Sequence, residues 1–313
     1  MTSLVVQSPG LLTTVQDLGR PGHGALGISP SGAADPVALR LGNLLVGNSA
    51  GAAALEMTLL GGTFFFPEGA VVAVTGADFG AALDGRAVEM WTAQTIARGG
   101  VLAFGPTRNF ARTYLAVAGG IQVAPFLGSA STHLLSGLGG LEGRALRKGD
   151  TLRLGKPAAA APSGKISLAA LQSFRPRKVL RVTAGPQIDL FSQEAREAFF
   201  RATFLVSEAS DRTGLRLQGH SIPYKLADDM ITEGVPLGAI QVTPSGQPII
   251  LFVEQQTTGG YPKIANVIGV DLHRLGQLRP RVEVRFERTS FEIARSLWIE
   301  QERLLSSPGL LLS

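Results

Sequence analysis

The chain has 313 residues, enough for two domains or one large one, and its 45% hydrophobic and 17% charged content excludes a disordered protein. The net charge of +5 comes from scattered Lys and Arg, with neither a basic block nor interleaved aromatics, so no nucleic-acid partner is expected. The absence of Cys excludes disulfides, thiolate nucleophiles and cysteine metal sites, while 39 Gly and 18 Pro favour short strands and many turns.

The amino terminus, MTSLVVQSPG, lacks the basic start and long apolar core of a signal peptide. No apolar run approaches the roughly 18 residues a membrane helix needs. With no Cys, these features fit a cytoplasmic protein without a membrane partner. Leu4 to Gln7 and Leu11 to Val15 read as strands around Pro9-Gly10. The Gly-rich loop that follows contains Gly22, Gly24 and Gly27 in G-x-G-x-x-G spacing. Ser29-Pro30-Ser31-Gly32 comes next, where a dinucleotide fingerprint needs a helix, so that reading is rejected. Asp35-Pro36 is an N-cap followed by Pro at the first helical position. It opens a helix with Val37, Leu41, Leu44 and Leu45 on one face, which stops before Gly47.

From Leu55 the pattern turns to β. Strands are predicted at Thr63 to Phe66, Ala70 to Thr75, Ala87 to Trp91, Val101 to Phe104 and Arg112 to Val117, a spacing that suggests a barrel or sandwich. Asp78 reads as a solvated turn residue. Ser131 and His133 share a second Gly-rich loop, Ser129 to Gly143, where hydrogen bonding within the loop is the expected use of both. Ala158 to Ala161, flanked by Pro157, Pro162, Ser163 and Gly164, is the linker candidate. It separates a β lobe at residues 1–157 from a second at 165–313.

In the second lobe, Lys178 to Thr183 reads as a strand and Gln187 to Ala202 as an amphipathic helix with Ile188, Phe191, Ala195 and Phe199 inward. Strands Thr203 to Val206 and Leu215 to Gln218 bracket Arg212, which has two open readings: a bidentate anion ligand, or a turn residue paired to Asp211 or Glu208. Leu237 to Thr243 and Pro248 to Val253 form a hairpin about Pro244-Ser245-Gly246-Gln247. The return strand runs into Glu254-Gln255-Gln256-Thr257-Thr258-Gly259-Gly260-Tyr261-Pro262-Lys263. An apolar strand that delivers an acid, two amides, hydroxyls, a phenol and an ammonium to one spot positions them for a ligand. Lys263 to Leu275 then resumes a helical period, which places the polar stretch at a helix N-terminus. Val282, Val284 and Phe286 alternate along a strand. Thr289 caps a last helix, with Glu292 completing a capping box and Phe291, Leu297, Trp298, Leu304 and Leu305 forming a packing face.

Roles follow from side-chain chemistry. Glu254 is the candidate acid/base. Lys263 and Arg212 suit a carboxylate or phosphoryl oxygen. Gln256, Thr257, Gly260 and Tyr261 suit hydrogen bonding or close approach to substrate, and Gln16, Asp17 and Arg20 are candidates to complete the cleft. No phosphate-loop sequence occurs, because Gly155-Lys156 and Gly164-Lys165 are followed by Pro157 and Ile166. No lysine is flanked by methionines as a biotin attachment site would be, and the four His show no metal-ligand spacing.

Several of these motifs, in this order, closely resemble the allophanate hydrolase subunit 2 family, a biotin-dependent carboxyltransferase family. They are Val15 to Pro21, Pro30-Ser31-Gly32 with Asp35, Ala38 to Asn48, Arg112 to Ile121, Ser210 to Leu217 and Gly246 to Ile264. The family includes the C subunits of 5-oxoprolinases, the KipA antagonists of a sporulation-kinase inhibitor, and half of the carboxyltransferase domain of urea carboxylase. The resemblance implies a mainly β fold with a few helices, in two cyclophilin-like, β-barrel-like lobes. It implies action as the C subunit of an ATP-dependent 5-oxoprolinase beside a KipI-like B subunit and an A subunit, with ATP spent on activating the lactam carbonyl. The alternatives it leaves are a carboxyltransferase working with biotin on another polypeptide, and a non-catalytic binder of a KipI-like inhibitor. The chain departs from the family pattern at Ala34, often Met; at Thr213 and Leu215, where Met and Tyr are common; and at Glu254, more usually Asp.

Overall fold

The computed structural model describes residues 2–157, 164–225 and 230–312, and the core of the expected linker, 158–163, lies outside them. Two compact units result: Met1–Arg20, Ser31–Arg175 and Leu305–Ser313 form one, Pro21–Pro30 and Pro176–Leu304 the other.

The first unit is built on two sheets. Its strands are β1 (Ser3–Ser8), β2 (Leu12–Gln16), β3 (Ala54–Thr58), β4 (Thr63–Phe66), β5 (Ala70–Gly76), β6 (Ala82–Leu83), β7 (Arg86–Ala87), β8 (Ala93–Ile96), β9 (Gly100–Ala103), β10 (Arg112–Val117), β11 (Ile121–Gln122) and β12 (Thr151–Leu154). Strands β11-β12-β1-β4-β9-β6-β7 make one sheet and β2-β3-β10-β5-β8 the other. The alternating burial of Leu4 and Val6, or Phe64 and Phe66, sends one face of each strand into a shared apolar core. Strand β10 is buried along its whole length because strands flank it and helix α1 (Pro36–Leu45) lies close to it and to β5. Helix α1 starts as its sequence dictates: the Asp35 carboxylate accepts the Ala38 N–H at 2.9 Å, with Pro36 at the first position. The strand expected at Ala87 to Trp91 is displaced to β8. Trp91 takes φ of 62°, a left-handed turn conformation that no strand accommodates.

The second unit is a closed barrel. Its strands are β14 (Val179–Ala184), β15 (Phe204–Val206), β16 (Gly214–Gln218), β18 (Ala239–Val242), β19 (Pro248–Leu251), β21 (Lys263–Val267) and β22 (Glu283–Arg288), in the order β14-β21-β18-β19-β16-β15-β22, and β22 pairs in parallel with β14 to close the ring. Closure leaves no unpaired edge for another chain to extend. A two-rung ribbon, β17 (Glu233–Gly234) with β20 (Thr258–Gly259), stands apart from it. Two more short strands, β13 (Lys165–Ile166) and β23 (Leu311–Leu312), pair with each other in the first unit. Phe199 of α3 (Gln193–Arg201) stacks on Phe286 with ring centroids 4.6 Å apart and also meets Phe204, sealing the barrel on that side.

Four expectations are corrected. Residues Lys263 to Val267 form β21, not a helix. Both of its neighbours are strands, and only Leu272–Leu275 (α4) is α-helical. The predicted helix from Gln187 is a single 3-10 turn, Ile188–Leu190, followed by α3 capped by Ser192. The last helix, α5 (Phe291–Leu305), begins one residue later than predicted: the Ser290 hydroxyl accepts the Ile293 N–H at 3.3 Å. None of its residues is buried, so the expected packing face is not buried. Helix α2 (Leu168–Phe174), absent from the sequence reading, is capped by Ser167. No helix among the described residues is long and apolar enough to cross a membrane.

Candidate functional site

Antiparallel pairing carries alternate residues of a strand to opposite faces. In the second unit, Leu215, Ile250 and Ile240 form one cross-strand row and are buried. The next row falls on the other face, where register aligns Arg216 of β16, Ile249 of β19 and Gln241 of β18. Three adjacent strands therefore present, in order, a guanidinium, an apolar side chain and an amide, and Gln241 pairs across a bulge with Lys263 of β21. Arg216 and Gln241 stand two strand spacings apart, about 10 Å at the backbone, a gap that long side chains and a small ligand can fill.

A cleft of about 220 Å³ opens over this row. Ile249 and Leu251 supply its apolar surface, and Thr213, Thr243, Arg216 and Gln241 its polar surface. Gln256 and Tyr261 reach it from the loop after β19. The two amides converge beside Gly259: a methyl group there would lie 2.6 Å from Gln241 Nε2 and 3.0 Å from Gln256 Nε2. Gln241 Nε2 also donates to the Tyr261 carbonyl at 3.3 Å. Tyr224 is held above the usual phenol range by burial and then by the nearby Tyr261 phenol.

The loop is tied at its base. Glu254 and Arg212, nominated separately from the sequence, form one buried ion pair through Arg212 Nε and Glu254 Oε1. The Glu254 N–H donates to the Arg212 carbonyl at 2.8 Å, and the Phe252 N–H to the Thr213 carbonyl at 3.0 Å. The Asp211 carboxylate accepts the Thr213 and Gly214 N–H groups, which fixes the facing turn. Neither Glu254 nor Arg212 lines the cleft. Thr257 uses its carbonyl to accept the Val235 N–H at 3.0 Å, and Gly260 is exposed beside Thr232.

Lys263 lies across the bulge from Gln241, its side chain only 2% exposed. Its ammonium donates to Glu233 Oε1 at 2.6 Å, and Gln187 Nε2 donates to the same oxygen at 2.5 Å. The Gln187 side-chain oxygen, Oε1, in turn accepts the Lys263 backbone N–H at 3.2 Å. Lys263, and after it Gln187, holds the Glu233 carboxyl below the usual range.

Gln16, Asp17 and Arg20 belong to the first unit, where they are buried and spend their polar atoms on its own loops. The Asp17 carboxylate accepts from Ser129 Oγ at 2.6 Å, Ser131 Oγ at 2.5 Å, and the Gly19 and Ala130 N–H groups. Arg20 donates to the Phe126 and Ser131 carbonyls and lies over the Phe126 ring. Gln16 donates to Thr14 Oγ1 and the Thr132 carbonyl. Ser131 thus serves Asp17, while His133 Nδ1 accepts the Ser136 N–H at 3.1 Å. Gly47-Asn48-Ser49-Ala50-Gly51 spells G-x-S-x-G, but it follows a helix and precedes a strand, the reverse of a nucleophile elbow. A second buried network joins the Tyr114 hydroxyl to Glu56 Oε2 at 2.7 Å, with the Asp35 N–H donating to Tyr114 and the Ala34 N–H to Glu56. Burial first, and then Glu56, pushes the Tyr114 phenol well up.

Sequence reasoning missed Arg216, Gln241 and Thr243. Arg216 and Gln241 lie on short strands and Thr243 directly follows one, and only the register of three strands unites them. The available signal was the alternation of Gln241 and Thr243 with Ile240 and Val242.

The family model for the carboxyltransferase domain, subdomain A and B, matches residues 26–288. The chain is 40% identical over 296 residues to the C subunit of 5-oxoprolinase from Escherichia coli, covering 94% of each protein. It is 37% identical to the C subunit of 5-oxoprolinase from Haemophilus influenzae, covering 91% of this chain and 90% of that one. It superposes on the solved urea carboxylase of Kluyveromyces lactis with a TM-score of 0.90 at 33% identity, covering 99% of this chain but 30% of that one.

Proposed function

The chain belongs to the carboxyltransferase-domain family, subdomains A and B, and from that premise we propose that it is the C subunit of a 5-oxoprolinase complex, acting with B and A subunits in the hydrolysis of 5-oxo-L-proline to L-glutamate. Two relatives of nearly equal length, both named as 5-oxoprolinase C subunits, support this reading. ATP enters through the complex, since the sequence contains no phosphate-loop motif.

The observation that carries the proposal is the convergence of two primary amides beside Gly259, above an apolar floor and in a cleft that Arg216 also lines. A lactam is a cis amide, so its C=O and N–H lie side by side on one edge. A glutamine side chain offers the complementary pair, an N–H donor and a C=O acceptor. Gln241 and Gln256 hold that edge, and Ile249 and Leu251 receive the ring methylenes. Transfer of the ATP γ-phosphoryl group to the lactam oxygen, with ADP leaving, places an anionic phosphoryl group there, and Arg216, across Ile249, faces that charge. Tyr261 supplies a hydroxyl to orient the oxygen and the attacking water, while the Thr213 and Thr243 hydroxyls donate to Asp211 and to the Gln247 carbonyl. Glu254 and Arg212 keep the loop in register by pairing with each other. ATP-dependent glutamate release from 5-oxoproline by this chain together with B and A subunits tests the assignment. Release that requires this chain is the expected result; no release from the assembled, folded complex would refute it.

The urea carboxylase superposition favours a second reading, carboxyl transfer with a biotinylated partner. The ureido ring of biotin carries the same C=O and N–H edge. Recovery of a biotinylated protein on this chain, with incorporation of labelled bicarbonate into an acceptor, would replace the first reading with this one.

A further inference from the structure

We propose that the Lys263 ammonium and the Gln187 amide form a receptor for a ligand carboxylate, and that Glu233 occupies it as an exchangeable internal stand-in. The inference deepens the reading above, because it names the group that would hold the carboxylate of the substrate.

An ammonium that is almost wholly buried needs a countercharge, since desolvation without one costs several kcal/mol. A lysine is almost never fully buried unless it is paired. The one ion-pair partner of Lys263 among the described residues is Glu233, whose side chain is 44% exposed. One carboxylate oxygen, Oε1, takes both the ammonium and the Gln187 amide. An ammonium has three donors, and among the described residues one is used here. Gln187 is itself fixed by accepting the Lys263 N–H, so ammonium and amide are preset at one oxygen position whether or not Glu233 fills it.

The element that carries Glu233 is weakly attached. The β17–β20 ribbon has two rungs, Glu233 with Gly259 and Gly234 with Thr258, extended by the bond from the Val235 N–H to the Thr257 carbonyl. A carboxylate delivered from solvent on so short a ribbon is replaceable at the loss of few contacts. The receptor also lies where a lactam acid would use it. Lys263 is the cross-strand partner of Gln241, which lines the cleft and holds the amide edge. A ring acid whose amide meets Gln241 directs its carboxylate away from Arg216 and across the bulge toward Lys263. Displacement of Glu233 removes the side-chain tie between β17 and Lys263 and leaves the ribbon beside the converging amides held by its backbone bonds alone.

Chemical rescue tests the receptor with acetate, a carboxylate that lacks the lactam. Glu233→Ala removes the stand-in and leaves Lys263 uncompensated. Thermal unfolding of this variant is followed against sodium acetate, with sodium chloride at matched ionic strength as control. The expected result is a saturable rise of about 3–6 °C at ten times the acetate dissociation constant, with no such rise in chloride. The rise should vanish in Glu233→Ala/Lys263→Met, and in wild type it should appear only at higher acetate concentration, where acetate must displace Glu233. Glu233→Gln, which keeps the side-chain shape without the charge, serves if the alanine variant does not fold. Equal acetate and chloride curves, or an acetate effect that survives loss of Lys263, would overturn the receptor. Acetate rescue combined with no 5-oxoproline turnover in the complex would overturn the 5-oxoprolinase reading and leave the receptor standing.

Discussion

Replacing Gly259 with Ala separates ligand binding from folding at a single position. Gly259 does not occupy the left-handed region, so Ala adopts its backbone without strain. The added methyl meets Gln241 Nε2 at 2.6 Å, Gln256 Nε2 at 3.0 Å and Val235 Cγ1 at 3.3 Å. Two of these atoms are the ends of glutamine side chains, and moving Gln241 gives up its bond to the Tyr261 carbonyl, so stability should fall by about 0.5–1.5 kcal/mol. The ligand loses more. Displacing both amides disturbs two hydrogen-bonded edges worth roughly 0.5–1.5 kcal/mol per bond, or about 1–3 kcal/mol together. That corresponds to a fall of about 5- to 150-fold in kcat/KM for 5-oxoproline in the reconstituted complex. Gly234→Ala, on the opposite strand of the ribbon, is the matched control: its methyl reaches nothing nearer than the Thr257 carbonyl at 4.0 Å, and near wild-type kinetics are expected. A Gly259→Ala enzyme with unchanged kcat/KM would refute the assignment of the amide pair.

Other expectations follow from the buried networks. Tyr114→Phe leaves the Glu56 carboxylate and the Asp35 N–H without the phenol, and should cost about 1–3 kcal/mol in urea unfolding without moving the KM. Arg212→Met or Glu254→Gln alone leaves a buried partner uncompensated and should cost about 3–5 kcal/mol, whereas the double replacement should recover much of the loss; additive losses would contradict the pairing. The Glu233 carboxyl is depressed when folded, so its pairing with Lys263 stabilises above the ordinary glutamate value of about 4.3 and is lost as pH falls through the lower folded value. Thermal unfolding across acidic pH should show wild type exceeding Glu233→Gln at neutral pH, with the gap closing only below about pH 4. A gap that closes near neutrality would assign the difference to another group.

Much of the architecture is legible in the residues, and the failures have physical causes. Arg112 to Val117 is a run with no polar interruption beyond its first two residues, and it is a fully buried central strand. Asp35-Pro36 carries its helix start in two residues. Lys263 to Leu275 misleads because β21 is covered on both faces near its start, so the two-residue alternation that marks a strand is lost and Ile264, Ile268, Leu272 and Leu275 imitate a helical period. The apolar pattern of α5 gives its helix but not its burial. At the site, Gln256 and Tyr261 were readable because a polar run interrupts an apolar hairpin. Lys263 was readable for the same reason, but its partners Glu233 and Gln187 lie 30 and 76 residues away in sequence. Arg216 and Gln241 depend on strand register, which is a property of the closed barrel and not of any local segment.

The most direct measurement is a structure of the assembled complex with 5-oxoproline bound. The ligand is expected on the outer face of the barrel, its lactam edge within hydrogen-bond distance of Gln241 and Gln256 and its carboxylate on Lys263 in place of Glu233. Ligand density elsewhere, with both glutamine amides left facing solvent, would contradict the account.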